Sequence, residues 1–175
     1  MLKIIQALVA CNMQIINRHV FFVAFILLYF NTSQSYAAQS SIIAVNNLQV
    51  DAALAKEQSL VVLVLVTLPS CSACEFVKED VIEPMIAADY FTNVAVVREL
   101  SLQDYSIIDF DGGTIGAHNF ASRYSAEFAP IVLFLSANGD QLHKPIIGMS
   151  SRDYYGFYLE EAIAKSIKRL IKKSL

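Results

Sequence analysis

Cys71 and Cys74, three residues apart in "VTLPSCSACEFVKEDV", have the side chains best suited to chemistry in this chain. They follow a near-continuous β-branched and leucine run and open a stretch that reads as a helix. Four readings compete: a redox pair, half of a metal site, a structural staple, or coincidence. Two cysteines one helical turn apart share a face and close a disulfide with little backbone movement. Ser70 is a natural N-cap, which places Cys71 in the first turn, where unpaired N–H groups and the positive dipole end favour a thiolate. The thiolate is the attacking species in disulfide exchange. On this reading Cys71 is the nucleophile and Cys74, deeper in the helix, the resolving thiol. A zinc site needs two further ligands, and only His118 and His143 remain, neither at a ligand-like spacing, so no metal is expected. A purely structural staple is disfavoured because so small a loop removes little unfolded-state entropy.

The segment Met1 to Ala38 has to be set aside before any fold is proposed. The hydrophobic fraction of 55% is high for a soluble chain, and much of the excess lies in the first thirty residues. Lys3, Arg18 and His19 precede the apolar run "VFFVAFILLYF" (Val20–Phe30), which is too short to span a ~30 Å hydrocarbon core comfortably. Small side chains at Ser35 and Ala37 then suit signal peptidase cleavage between Ala37 and Ala38. Residues 1–37 are therefore expected to be a cleaved signal peptide, with Met13 as an alternative start, and residues 38–175 a single domain in the periplasm. An uncleaved membrane anchor is the alternative. "LVAC" (Leu8–Cys11) resembles a lipoprotein box, but only ten residues precede its cysteine and a better signal follows it.

Lys3 and Arg18 leave with that segment, so 11 of the 13 basic residues remain against all 16 acidic ones, a net charge of −5. Nucleic acid is excluded as a partner, since phosphate backbones call for a basic face. The basic cluster Lys165, Lys168, Arg169, Lys172 and Lys173 falls in the last turns of an expected helix, where cations complement the macrodipole. Cys11 is lost as well, which leaves Cys71 and Cys74 alone in a compartment that permits disulfides.

The elements that must position the pair alternate along the chain. Asn46–Gln58 reads as a helix and Leu60–Leu68 as a strand covered on both faces. The helix after the cysteines carries Val77, Val81 and Met85 at spacing four until Pro84 kinks or ends it. Asn93–Leu100 is a second strand. A polar, Gly-containing insertion follows, with a helical tail near Ala117–Tyr124. Pro130–Ser136, a turn at Ala137–Asp140 and Gln141–Gly148 form an antiparallel hairpin. A last helix opens at "SSRD", capped by Ser150 or Ser151, with Leu159, Ile163, Ile167 and Leu170 as its apolar stripe. The order implies an α/β fold: a mixed central sheet with helices on both faces.

With "CSAC" at the first strand-to-helix turn and "APIVLFLSANGD" about fifty-five residues later, the chain resembles the thioredoxin superfamily. It is most similar to the periplasmic thioredoxin-related (SoxW-like) proteins, which carry an insertion before the third helix. The resemblance covers about Ala44 to Leu170 and implies a thioredoxin-like fold. It also implies a cis bond at Pro130, facing the cysteines, with the backbone of Ala129 pairing with a bound peptide; the general prior for an X–Pro bond is trans. No cofactor is implied. The implied partners are protein thiols and disulfides, together with a membrane-embedded electron donor, and the chain is expected to be monomeric.

Departures from the family pattern bear on redox direction. Where thioredoxins have Trp before the first cysteine, Gly-Pro between the pair and a buried Asp in the preceding strand, this chain has Ser70, Ser72 with Ala73, and Leu65. Strongly oxidising relatives have His beside the second cysteine, a role Ala73 cannot fill. Without a buried carboxylate at Leu65, proton transfer from Cys74 needs water or another group. Glu75 and Glu79 are nearest in sequence, though both suit solvated surface positions better. Of Tyr154, Tyr155, Phe157 and Tyr158, about half are expected in the core. The expected activity is that of an exported thiol-disulfide oxidoreductase, reducing or isomerising rather than strongly oxidising. The alternatives are a binding module with a static disulfide and a metal carrier.

Overall fold

A computed structural model of the chain describes residues 42–103, 106–149 and 151–174. The expected signal segment, its cleavage site and Cys11 lie outside the described residues. The centre of the fold is strand β2 (Val61–Thr67), all seven residues of which are buried. Its lack of polar alternation follows from its place in a five-stranded sheet. It pairs in parallel with β3 (Ala95–Ser101) on one side and antiparallel with β6 (Ile131–Leu135) on the other. Two short strands close the edges: β1 (Ile43–Ala44), parallel to β3, and β7 (Ile146–Ile147), antiparallel to β6. The order is β1-β3-β2-β6-β7.

Helices cover both faces. Helix α1 (Leu48–Gln58) is capped by Asn47, whose side chain accepts from the Val50 amide at 3.2 Å, and it ends where Ser59 turns left-handed. With α3 (Ala117–Ser122) it packs on Val62, Val64 and Val66, the even-numbered side of β2. Val61, Leu63 and Leu65 face the other way, towards Val77, Val81 and Ile82 of α2 (residues 72–87) and Leu159 and Ile163 of α4 (Tyr155–Ser174). One strand therefore serves two cores, as the two-residue period requires. Asp51 of α1, buried against the sheet, is satisfied by the guanidinium of Arg98 on β3. This is the α/β arrangement, a mixed central sheet with helices on both faces, that the sequence led us to expect.

Four local features differ from expectation. First, of the two outcomes expected at Pro84, a kink or an end, α2 does not end, and the distortion is a π-helical segment that the sequence does not foretell: helical Ser72–Glu75 passes into π-helical Phe76–Ile82 and then into Glu83–Ala87. Pro84 has no N–H to give and its ring crowds the carbonyl four residues back. The wider turns before it, in which the Glu83 amide donates to the Lys78 carbonyl, relieve that conflict without ending the helix.

Second, α4 begins at Tyr155, with Arg152–Tyr154 as a preceding turn, so Ser151 is not its cap; Ser150 lies outside the described residues. The Arg152 guanidinium sits 4.7 Å over the Phe76 ring, which anchors that turn against α2. Third, the outer strand of the hairpin is reduced to Ile146–Ile147 and a single bridge, Leu135 to Gln141. Pro145, without an N–H, interrupts the ladder between them. Fourth, the insertion contains a small antiparallel pair, β4 (Ile107–Ile108) with β5 (Thr114–Ile115), around a turn in which Gly112 has φ +87°. Strands of two residues carry no readable periodicity, and neither this pair nor β1 is legible in the sequence.

Candidate active site

Cys71 and Cys74 form a disulfide, their Cα atoms 5.2 Å apart. The expected cap is displaced by one residue. Ser70 is left-handed, at φ 57°, and the N-cap is Cys71 itself, whose Sγ accepts the Cys74 amide at 3.1 Å. A cap must have extended backbone and an acceptor that reaches back into the first turn, and the cysteine sulfur meets both conditions. Hydrogen bonding to the charged form and the helix dipole both act to favour a thiolate at Cys71 once the bond is reduced. Cys71 is partly exposed, whereas Cys74 is 3% exposed.

The Ala129–Pro130 bond is cis, as the resemblance implies and the general prior does not. The sheet register brings it to the cysteines' end of the fold. Ile131 pairs with Val66, so Pro130 continues opposite Thr67, where β2 leaves the sheet towards Cys71. The Pro130 carbonyl accepts from Gly148 at 2.8 Å. Among the described residues, no hydrogen bond within the fold takes up the backbone of Ala129. Phe128 and Ile147, each 59% exposed, flank this point, and Leu68, 37% exposed, lies just before the cysteines.

Glu75 and Glu79 are exposed, in keeping with surface charges. Of the four aromatic residues at the start of α4, only Tyr155 is buried; Tyr154, Phe157 and Tyr158 stay exposed, fewer in the core than expected. Tyr155 meets Phe76 edge-on, and its hydroxyl is buried without a hydrogen-bond partner. Among the described residues no group of three or more His, Cys, Asp or Glu gathers into a metal-binding cluster.

A charged pair that the sequence reading missed lies under α2. Glu99 of β3 stands opposite Leu65 in the sheet. It accepts from the Thr67 hydroxyl at 3.0 Å and meets the Lys78 ammonium at 2.8 Å. No local pattern joins residues so far apart in sequence, and only the β2–β3 register reveals them.

At the far end of β6 a shallow polar pocket is lined by Asp109, Arg123, Tyr124 and Asn138, among others. Asp109, buried, pairs with Arg123 at 2.6 Å. The Tyr124 hydroxyl donates to the Gly139 carbonyl at 2.8 Å.

No family model and no curated protein matches the chain. Among solved structures it is similar to a thioredoxin-fold protein from Helicobacter pylori, at 18% identity over 65% of this chain and 83% of that one, with a TM-score of 0.41. A single-site mutant thioredoxin from Halobacterium salinarum aligns at 18% identity over 70% and 89% of the two chains, with a TM-score of 0.41. Thioredoxin NaTrxh from Nicotiana alata aligns at 16% identity over 71% and 97%, with a TM-score of 0.45.

Proposed function

We propose that this chain is an exported thiol-disulfide oxidoreductase that exchanges disulfides with protein substrates through Cys71 and Cys74. The observation that carries the reading is the asymmetry of the pair. One sulfur is partly exposed and caps a helix, the other is buried, and a disulfide joins them. That asymmetry suits the two steps of exchange, in which an accessible thiolate attacks and a sheltered thiol resolves. The unengaged backbone at Ala129, beside Pro130 and between the exposed side chains of Leu68, Phe128 and Ile147, supports docking of an extended peptide segment.

Ala73 supplies no imidazolium to stabilise the reduced pair, which favours reduction or isomerisation over strong oxidation. Export, into a periplasm where a membrane-embedded donor would recharge the thiols, rests on the signal pattern of residues 1–37.

Cys74→Ser tests the reading. With the resolving thiol removed, the partner should stay covalently held through Cys71 and run as a discrete complex on non-reducing gels, while Cys71→Ser should trap little. If neither variant traps a protein and the wild-type disulfide resists mild reductant, a binding module with a static bond replaces the enzyme.

A further inference from the structure

Resolution of a mixed disulfide requires the Cys74 thiol to lose its proton. At 3% exposure, Cys74 sits where burial disfavours the charged form, so the proton needs an acceptor close at hand. Leu65, on the face of β2 turned towards α2, offers none. Glu75, Glu79 and Asp80 of α2 are exposed to solvent. Glu99 is different. It pairs with Leu65 across the sheet, and strand alternation puts it on the same face as Val97, which packs in the core beneath α2. Its Oε2 is held by Lys78 and its Oε1 by Thr67, and its side chain is 20% exposed. Lys78 follows Cys74 by four residues, so the residue that anchors the carboxylate stands about one helical turn from Cys74 on the same helix.

We infer that Glu99 is the proton acceptor for Cys74, with a bridging water between them, and that Lys78 and Thr67 position it. The inference rests on the oxidoreductase reading. The Cys74 S–H proton passes to the Glu99 carboxylate, and the resulting thiolate attacks the Cys71 sulfur of the mixed disulfide. The bond from Cys71 to the partner breaks, and the Cys71–Cys74 bond forms. The partner leaves as a thiolate carrying the electron pair of the broken bond, and Glu99 returns its proton to solvent. Cys71 and Cys74 are oxidised and the partner disulfide is reduced. In the opposite direction the same carboxyl gives the proton back to Cys74.

The test uses the reduced protein and an aromatic disulfide that releases a coloured thiolate at each step. The first release reports attack by Cys71 and the second reports attack by Cys74. Glu99→Gln keeps an oxygen for the Thr67 hydroxyl and preserves the shape of the site. Near neutral pH it should leave the first phase unchanged and slow the second at least about tenfold, the deficit closing in alkaline buffer where hydroxide removes the thiol proton. A second phase that is unchanged, or is faster because Lys78 has lost its counterion, overturns the assignment while the enzyme reading stands. Absence of any second release in the wild type overturns both. Should Glu99→Gln melt early, Glu99→Asp withdraws the carboxylate by one methylene. It should slow only the second phase, and an unaltered second phase again overturns the proposal.

Discussion

The Cys74 amide donates to the sulfur of Cys71 at 3.1 Å, so the atom expected to carry charge in exchange is also the cap of its own helix. Reduced Cys71 should therefore titrate below the ~8.5 of a free cysteine and react with iodoacetamide before Cys74. Mass spectrometry of partly alkylated protein across pH reads both quantities. Equal labelling of the two thiols would falsify the division of roles.

Two tyrosines with raised pKa values should respond in opposite ways to loss of the hydroxyl. Tyr124 donates to the Gly139 carbonyl, and Tyr124→Phe should cost about 1 kcal/mol in urea unfolding. The Tyr155 hydroxyl is buried without a partner, and Tyr155→Phe should be neutral or stabilising by up to about 1 kcal/mol. A clear loss of stability in Tyr155→Phe would show that its hydroxyl is engaged.

The same residues set an alkaline limit on stability. Burial, opposed by Arg123 and reinforced by Asp109 and Asp140, pushes the Tyr124 phenol up to about 12, and burial alone raises that of Tyr155. Because folding raises these values, their contribution is fully present below the unfolded phenol value of ~10 and is lost as pH rises through the folded ones. Unfolding free energy should hold up to about pH 10 and then fall. A chemical-denaturation series across that range checks it, and a flat profile to pH 12 would count against burial of the two phenols.

Replacing Asp51 with Ala should leave Arg98 half-sheltered without its counterion. The expected loss is roughly 2–3 kcal/mol, the low side for a buried pair because Arg98 keeps some solvent. Replacing both residues with apolar ones should restore much of it. If the double variant is no more stable than the single one, the cost lies in packing and not in charge.

Export is checked by intact mass. Protein recovered outside the cytoplasm should begin near Ala38, and a mass that retains Val20–Phe30 would show an anchored form instead.

The pattern of β2 was legible because seven buried residues leave no room for polar alternation, and α4's stripe from Leu159 to Leu170 was legible because its period is local. What stayed hidden depends on partners distant in sequence. The sulfur cap at Cys71 turns on the left-handed backbone of Ser70, which no side-chain preference announces. Thr67, Lys78 and Glu99 meet only because the register sets Leu65 against Glu99. The start of α4 was misplaced because Arg152 stacks on Phe76, a tertiary contact that overrides a good capping sequence.

The π-helical segment of α2 has a bearing on length variation among any relatives of this chain. Wide turns hold more residues than the α-helical turns they replace, so Phe76–Ile82 stores slack between the cysteine end of the helix and Pro84. A sequence lacking that proline has no conflict to relieve and can span the same distance with one residue fewer. Paired sequences should accordingly show a single-residue gap here in company with loss of Pro84, while the cysteine pair and the valines behind it stay in place.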